Sequence, residues 1–265
     1  MRVAVLTSVE TGFASLCLPP IVERSGAEIA LVMLADGPPA SRWRRMRQIL
    51  GKTRRIGLLG AINGLRMRRW YGADVAALLS IEPIETVARR LSIPFERTPG
   101  VNSDRTIELL RGADVDLGLS LGNAWISPRV FELPRAGMLN VHHELLPEFQ
   151  GAQSVVWSLH EGRRTTGYTI HRVSRGIDEG AIVDRRELPI SFRSTLAETV
   201  TATYALLLRD SAVRLAEVVR DFPALVDAAQ PQSGGRRFTT PAWRAFRRIR
   251  REHDRLRGPG VSSNA

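Results

Sequence analysis

Met1-Arg2-Val3-Ala4-Val5-Leu6-Thr7-Ser8, followed at residues 28–34 by Glu28-Ile29-Ala30-Leu31-Val32-Met33-Leu34, decides the fold class. The first run mixes β-branched and apolar types, and the second is almost continuously apolar. Strands buried on both faces of a parallel sheet have this composition. Residues 11–25 between them suit a helix, although Pro19 and Pro20 are expected to break or restart it. Strand, helix, strand is the opening of an α/β domain with a mostly parallel, twisted sheet. The turn after the first strand, Thr7-Ser8-Val9-Glu10-Thr11-Gly12, has one glycine and no Gly-x-Gly, so it is a poor phosphate cradle.

The 265 residues can bury a sizeable core, and 43% hydrophobic content is ordinary for a globular protein. No apolar run approaches the ~20 residues of a transmembrane helix, and the start reads as a strand, not a signal peptide. A single cysteine, Cys17, excludes an internal disulfide. No Cys/His cluster has zinc spacing, so no metal is expected. The expected compartment is the cytosol.

The net charge of +11 points first to nucleic acid, but its distribution argues otherwise. Residues 42–73 hold ten basic residues and no acidic one, and residues 236–257 hold nine basic and two acidic, which leaves the rest of the chain at −6. Residues 38–80 therefore read as a helical, Arg-rich insertion. Pro38-Pro39 opens it, Trp43, Met46, Ile49 and Leu50 recur at helical spacing, and residues 57–64 break the pattern. The insertion reads as an anionic-ligand clamp, a membrane-surface helix, or a solvated helical pair.

Downstream, residues 103–111 suit a helix and 115–121 a strand, and the loop Gly122-Asn123-Ala124-Trp125-Ile126-Ser127-Pro128 follows. In an open α/β sheet such a loop lines the ligand crevice at the carboxyl ends of the strands. Residues 153–161 suit a helix with Val155, Val156 and Leu159 inward, 165–172 and 181–190 suit strands, and a long helix runs from about 195 to 220. Residues 230–235 read as a linker, Trp243 begins a basic helix, and residues 258–265 are expected to be disordered.

The chemistry-bearing segments are Asn140-Val141-His142-His143-Glu144-Leu145-Leu146-Pro147-Glu148-Phe149-Gln150-Gly151 and Arg175-Gly176-Ile177-Asp178-Glu179-Gly180. An amide can donate to a developing oxyanion, an imidazole can move a proton near neutral pH, and a carboxylate can tune that imidazole. Asn140 and His142 sit where a strand end opens into a loop, a common place for catalytic groups. His143, His160, His171 and His253 have no such company and are expected to be structural or surface residues.

Asn-x-His, then Leu-Leu-Pro-x-x-x-Gly, then Asp-x-Gly 36 residues after the histidine resembles the 10-formyltetrahydrofolate-dependent formyltransferase domain. Glycinamide ribonucleotide, methionyl-tRNA and sugar-amine formyltransferases share that domain. Thr166-Gly167-Tyr168-Thr169-Ile170-His171 fits as the strand running to the Asp loop, and the resemblance is clear from about residue 114 to 190. It implies a Rossmann-like formyltransferase domain over residues 1–190, with a C-terminal helix and basic tail over 191–265. It also implies catalysis by Asn140, His142 and Asp178, with 10-formyltetrahydrofolate as co-substrate. Asn123, Ala124, Trp125, Ile126 and Ile177 become candidate folate contacts, with core packing the alternative for Trp125.

His143 and Glu144 depart from the family's usual Pro or Gly and Ser. Glu144 either sets a carboxylate beside the incoming amine or caps a turn or faces solvent. Arg44, Arg45, Arg47, Arg54 and Arg55 are candidate acceptor-phosphate contacts. The expected acceptor is a small primary amine, best matched by a nucleotide-linked amino sugar. The methionyl-tRNA and glycinamide ribonucleotide readings are disfavoured by the expected absence of a C-terminal β-barrel and of a glycine-rich phosphate loop. A regulatory domain before the first strand, as in formyltetrahydrofolate deformylase, is likewise not expected. A basic nucleic-acid-binding protein without catalysis is the alternative of another class, and a homodimer stays open.

Overall fold

The computed structural model describes residues 1–37, 42–151 and 153–258. In chain order its strands are β1 (Arg2–Thr7), β2 (Glu28–Ala35), β3 (Phe95–Thr98), β4 (Leu117–Ser120), β5 (Met138–His142), β6 (Phe149–Gly151), β7 (Thr165–Arg172), β8 (Ile182–Pro189) and β9 (Arg236–Phe238). The helices begin with α1 (Phe13–Arg24), α2 (Arg42–Arg69), α3 (Val75–Leu79), α4 (Ile84–Arg90) and α5 (Asp104–Ala113). They continue with α6 (Pro128–Phe131), α7 (Val156–His160), α8 (Leu196–Arg220), α9 (Phe222–Asp227) and α10 (Trp243–Arg257).

Seven strands form one sheet in the order β3-β2-β1-β4-β5-β7-β8. It is parallel from β3 to β5, and β7 and β8 add antiparallel. The two-residue period of a strand divides its side chains between two cores. Val3, Val5, Val32, Leu34, Leu117 and Leu119 pack on one face with α1 and α8. Ala4, Leu6, Leu31 and Met33 pack on the other with α5 and α6. Each fully buried Leu or Val contributes roughly 1.5–3 kcal/mol, which favours this single alternation over any register slipped by one residue.

The helices carry their own punctuation. Ser103 caps α5 by accepting from the Thr106 amide at 3.2 Å, and α5 stops at Asp114 in the left-handed region (φ 48°). Thr195 and Glu198 close a reciprocal capping box on α8. Residues 57–64 do not end the α2 region. The chain kinks at Gly57 (φ 76°), a conformation that favours glycine, and a second helical stretch continues to Arg69.

Two further expectations need correction. α1 runs unbroken through Pro19 and Pro20. An interior proline costs about 3 kcal/mol, and complete burial of Cys17, Leu18 and Ile21 between the sheet and α8 offsets it. The helix expected over 153–161 covers only 156–160, because Gln153 and Val155 both take positive φ (81° and 68°) and shape a sharp turn before it. Pro38 and Pro39, read as opening the insertion, and residues 259–265 of the expected disordered tail lie outside the described residues.

Among the described residues no helix is long and apolar enough to cross a membrane. The strand order reverses between β1 and β4, and the loops at the carboxyl ends of β4 and β5 border a crevice.

Candidate functional site

That crevice is a cavity of about 880 Å3 whose wall includes Asn140, His142, His171 and Asp178. The volume lies within the ~300–1,000 Å3 typical of small-molecule sites. Asn140 and His142 are two residues apart on β5, so their side chains share a face. The antiparallel register pairs Asn140 with His171 and His142 with Thr169. Asp178 enters from the β7–β8 loop in the left-handed region (φ 56°).

Hydrogen bonds fix the orientation of these groups. His171 Nδ1 lies 2.9 Å from the Arg172 carbonyl, and a carbonyl only accepts, so Nδ1 carries the proton. Its Nε2 is then left to accept from Asn140 Nδ2 at 3.1 Å. This commits one amide N–H of Asn140 and leaves the other free for a ligand oxygen. Burial holds the His171 pKa down to about 4, against an opposing pull from Asp178, so the ring is neutral at pH 7 and keeps its acceptor role. By the same reasoning His142 Nε2 donates to the Phe149 carbonyl at 2.8 Å. His142 Nδ1 stands 3.7 Å from Asp178 Oδ2, and His171 Nε2 stands 3.7 Å from Asp178 Oδ1. Both distances exceed a hydrogen bond, a spacing common before substrate tightens a site. Asp178 Oδ2 also accepts from the Gly151 amide at 3.0 Å, which ties the carboxylate to the loop after β5.

The loop after β4 closes one end of the cavity. Asn123 Nδ2 donates to the Leu6 carbonyl at 2.8 Å, and Ser8 Oγ donates to Asn123 Oδ1 at 2.8 Å, so this side chain splices the loops after β1 and β4. Asn123, Ala124, Trp125, Ile126 and Ile177 all line the cavity. Trp125 and Ile177 are each 50% exposed, which excludes ordinary core packing for Trp125. The opposite end is aromatic. His143 packs edge-on against Phe13 and Tyr204 (4.7 and 5.4 Å between centroids), and Tyr204 packs edge-on against Tyr71 at 5.1 Å. Burial pushes the His143 pKa down to about 3, so the ring serves as a neutral aromatic wall.

Of the places its sequence position offered, Glu144 takes the turn, not the cavity or solvent. It is 3% exposed, is absent from the cavity wall, and does not face solvent. Its carboxyl accepts from the Val155 amide at 2.7 Å and sits 3.3 Å from the hydroxyls of Ser158 and Thr166. Burial raises its pKa to about 8. It is an internal brace for the 153–158 turn, which holds its carboxyl away from the cavity.

The side chains of Arg44 and Arg45 lie outside the described residues. Arg55 lines the cavity, as does Arg237, which pairs with Glu179 at 2.5 Å. Sequence reasoning missed His171, Tyr71, Tyr204 and the β9 edge that brings Phe238 to the cavity. Only His171 left a signal: it ends a strand seven residues before Asp178, on the parity that faces Asn140 once β7 is antiparallel.

Comparison with known proteins fits this geometry. Residues 101–207 match the family model described as formyl transferase. A methionyl-tRNA formyltransferase from Thermosynechococcus vestitus is 29% identical over 188 residues, 70% of this chain and 54% of that protein. The chain thus spans about half the length, or less, of the curated relatives it matches. Among solved structures, glycinamide ribonucleotide transformylase 1 from Symbiobacterium toebii superposes with a TM-score of 0.57 at 19% identity, covering 88% of this chain and 94% of that one. The N-formyltransferase from Helicobacter canadensis, solved with folinic acid and dTDP-3-aminofucose, gives 0.51 at 14% identity over 90% and 70% of the two chains.

Proposed function

We propose that this chain is an N-formyltransferase that moves the formyl group of 10-formyltetrahydrofolate to a primary amine, a reading supported by the match of residues 101–207 to the formyl transferase family model. The observation that carries the reading is the Asn140–His171 pair beside His142 and Asp178 at the cavity wall. The neutral amine attacks the formyl carbon, forming a C–N bond and a tetrahedral oxyanion. The free N–H of Asn140 donates to that oxyanion, and His142, when protonated, adds positive charge beside it. Collapse breaks the bond to N10 of the folate. The proton lost by the attacking nitrogen reaches N10 by way of His142 and Asp178, so no covalent enzyme intermediate is needed.

The loops at 122–126 and 174–178 would take the folate's ring system, with Trp125 and Ile177 as apolar surfaces and main-chain groups as polar partners. Several observations bear on the acceptor. The turn after β1 lacks a glycine-rich cradle, and Arg55 and Arg237 offer guanidinium groups at the cavity. They favour an amine carrying an anionic group, of which a nucleotide-linked amino sugar is the best match; the ligand in the Helicobacter canadensis protein supports this choice. A methionyl-tRNA acceptor is the second reading, supported by the curated relatives.

The experiment supplies 10-formyltetrahydrofolate with a panel of nucleotide-linked amino sugars, glycinamide ribonucleotide and methionyl-tRNA, and reads release of tetrahydrofolate. Turnover with an amino-sugar nucleotide alone supports the finer reading. Turnover with methionyl-tRNA alone replaces it, and none with any amine rejects formyl transfer.

A further inference from the structure

The Arg-rich insertion carries a feature that catalysis does not use. Past the Gly57 kink, α2 buries one stripe against the body, where Asn63 and Met67 are 3% and 0% exposed. At 100° per residue, Leu58, Ile62 and Leu65 fall on the opposite side, and they are 69%, 41% and 64% exposed. The stretch before the kink exposes apolar side chains of its own, with Trp43, Met46 and Leu50 at 74%, 52% and 56% exposure. Scattered exposed apolar residues are ordinary, but large apolar side chains exposed along both helical stretches of α2 are not. Arg68 flanks this face on one side and Arg66 on the other; both are exposed, as is Arg54 before the kink. Residues 42–73 contain ten cationic side chains and no acidic one.

We propose that α2 is a docking surface for an anionic lipid bilayer, lying in the headgroup plane with this apolar face inserted and the arginines on lipid phosphates. The combination of an aliphatic face, cationic flanks and an aromatic residue near one end is that of an interfacial helix. A second copy of the chain is a poor occupant, because pairing two such helices would bring two sets of ten positive charges together with no carboxylate between them. RNA would satisfy the arginines but leaves Leu58, Ile62 and Leu65 with no stacking or phosphate role. α10 packs on α2 and carries seven more arginines, extending the attraction for an anionic surface. Arg55, two residues before the kink, lines the cavity, so the docking face adjoins a segment that reaches the site.

The test is co-sedimentation of the full chain with vesicles of phosphatidylcholine alone or mixed with phosphatidylglycerol. Wild type is expected to partition onto the mixed vesicles and to stay in solution with the zwitterionic ones. The triple variant Leu58→Gln, Ile62→Gln and Leu65→Gln keeps every charge and is expected to lose roughly a hundredfold in partitioning. A second variant, Arg54→Gln, Arg66→Gln and Arg68→Gln, keeps the apolar face and is expected to lose the preference for anionic vesicles. All six positions are exposed, and an unchanged thermal transition checks that each variant is folded. No binding by wild type, equal binding to both vesicle types, or full binding by the first variant overturns the proposal, as does saturable tRNA binding without vesicle binding. None of these outcomes depends on formyl transfer.

Discussion

Asn140 has two N–H bonds to give, and His171 holds one of them. Removing the donor, Asn140→Ala, should lower turnover by about 10²–10³-fold, and His142→Ala by about 10²–10⁴-fold with folate affinity little changed. His171→Phe keeps the buried ring but removes the acceptor that aims the amide. Its kcat is expected to fall while the folate KM stays near wild type; a variant with wild-type kcat would show that Asn140 aims itself. Steady-state kinetics with varied folate separates the two outcomes. The asparagine and first histidine were legible in sequence because two residues on one strand end share a face. His171 was not, because its place depends on an antiparallel register set by residues far along the chain. Trp125 fell between two readings for the same reason: its exposure is decided by how the loops after β1 and β4 splice through Asn123.

The buried titratable groups act on stability in opposite directions. The fold raises Glu144 from 4.5 to about 8, so it binds that proton more tightly than the unfolded chain does. Its contribution is complete below about 4.5 and is lost as pH rises through about 8. His171 and His143 are lowered from 6.5 to about 4 and about 3, so their contributions are present above 6.5 and lost as pH falls through those values. Glu144→Gln should therefore flatten the fall in thermal midpoint between pH 4.5 and 8 while leaving the acid limb intact. An alkaline limb unchanged in the variant would place the titrating group elsewhere.

Among the elements, α8 shows how a local signal and a global one agree. Thr195 and Glu198 satisfy the first-turn amides reciprocally, and the helix then buries Leu207, Leu215 and Val218 completely against the sheet. Thr195→Ala should cost about 1 kcal/mol, within the range for a lost cap, read as a lower midpoint in urea with an unchanged slope. No shift in the midpoint would mean that the box carries no energetic weight. The strong periodicity of α8 made it readable in advance. α1 was misjudged because tertiary burial outweighed two prolines, and the kinked α2 because a single glycine at φ 76° turns the axis without ending the helix. β9 carries only three residues and exists because β6 lies beside it, so nothing local announces it.

At the scale of the whole molecule, the crevice lies at the carboxyl ends of β4 and β5, and β5, β7 and the loops after them supply it with the reacting groups. The parallel half of the sheet was legible from apolar runs, because strands buried on both faces have no polar alternation to confuse the reading. The aromatic end of the cavity was not, since Phe13, Tyr71, His143 and Tyr204 come from four separated segments that meet only in the folded chain. The central claim is that this crevice transfers a formyl group by way of Asn140 and His142. The most direct measurement is single-turnover release of tetrahydrofolate from 10-formyltetrahydrofolate with a saturating amine acceptor, comparing wild type with the Asn140→Ala, His142→Ala double variant. The account predicts rapid release accompanied by one formyl group on the amine in wild type, and folate that binds but is not turned over in the variant. Equal release by the two proteins would contradict it.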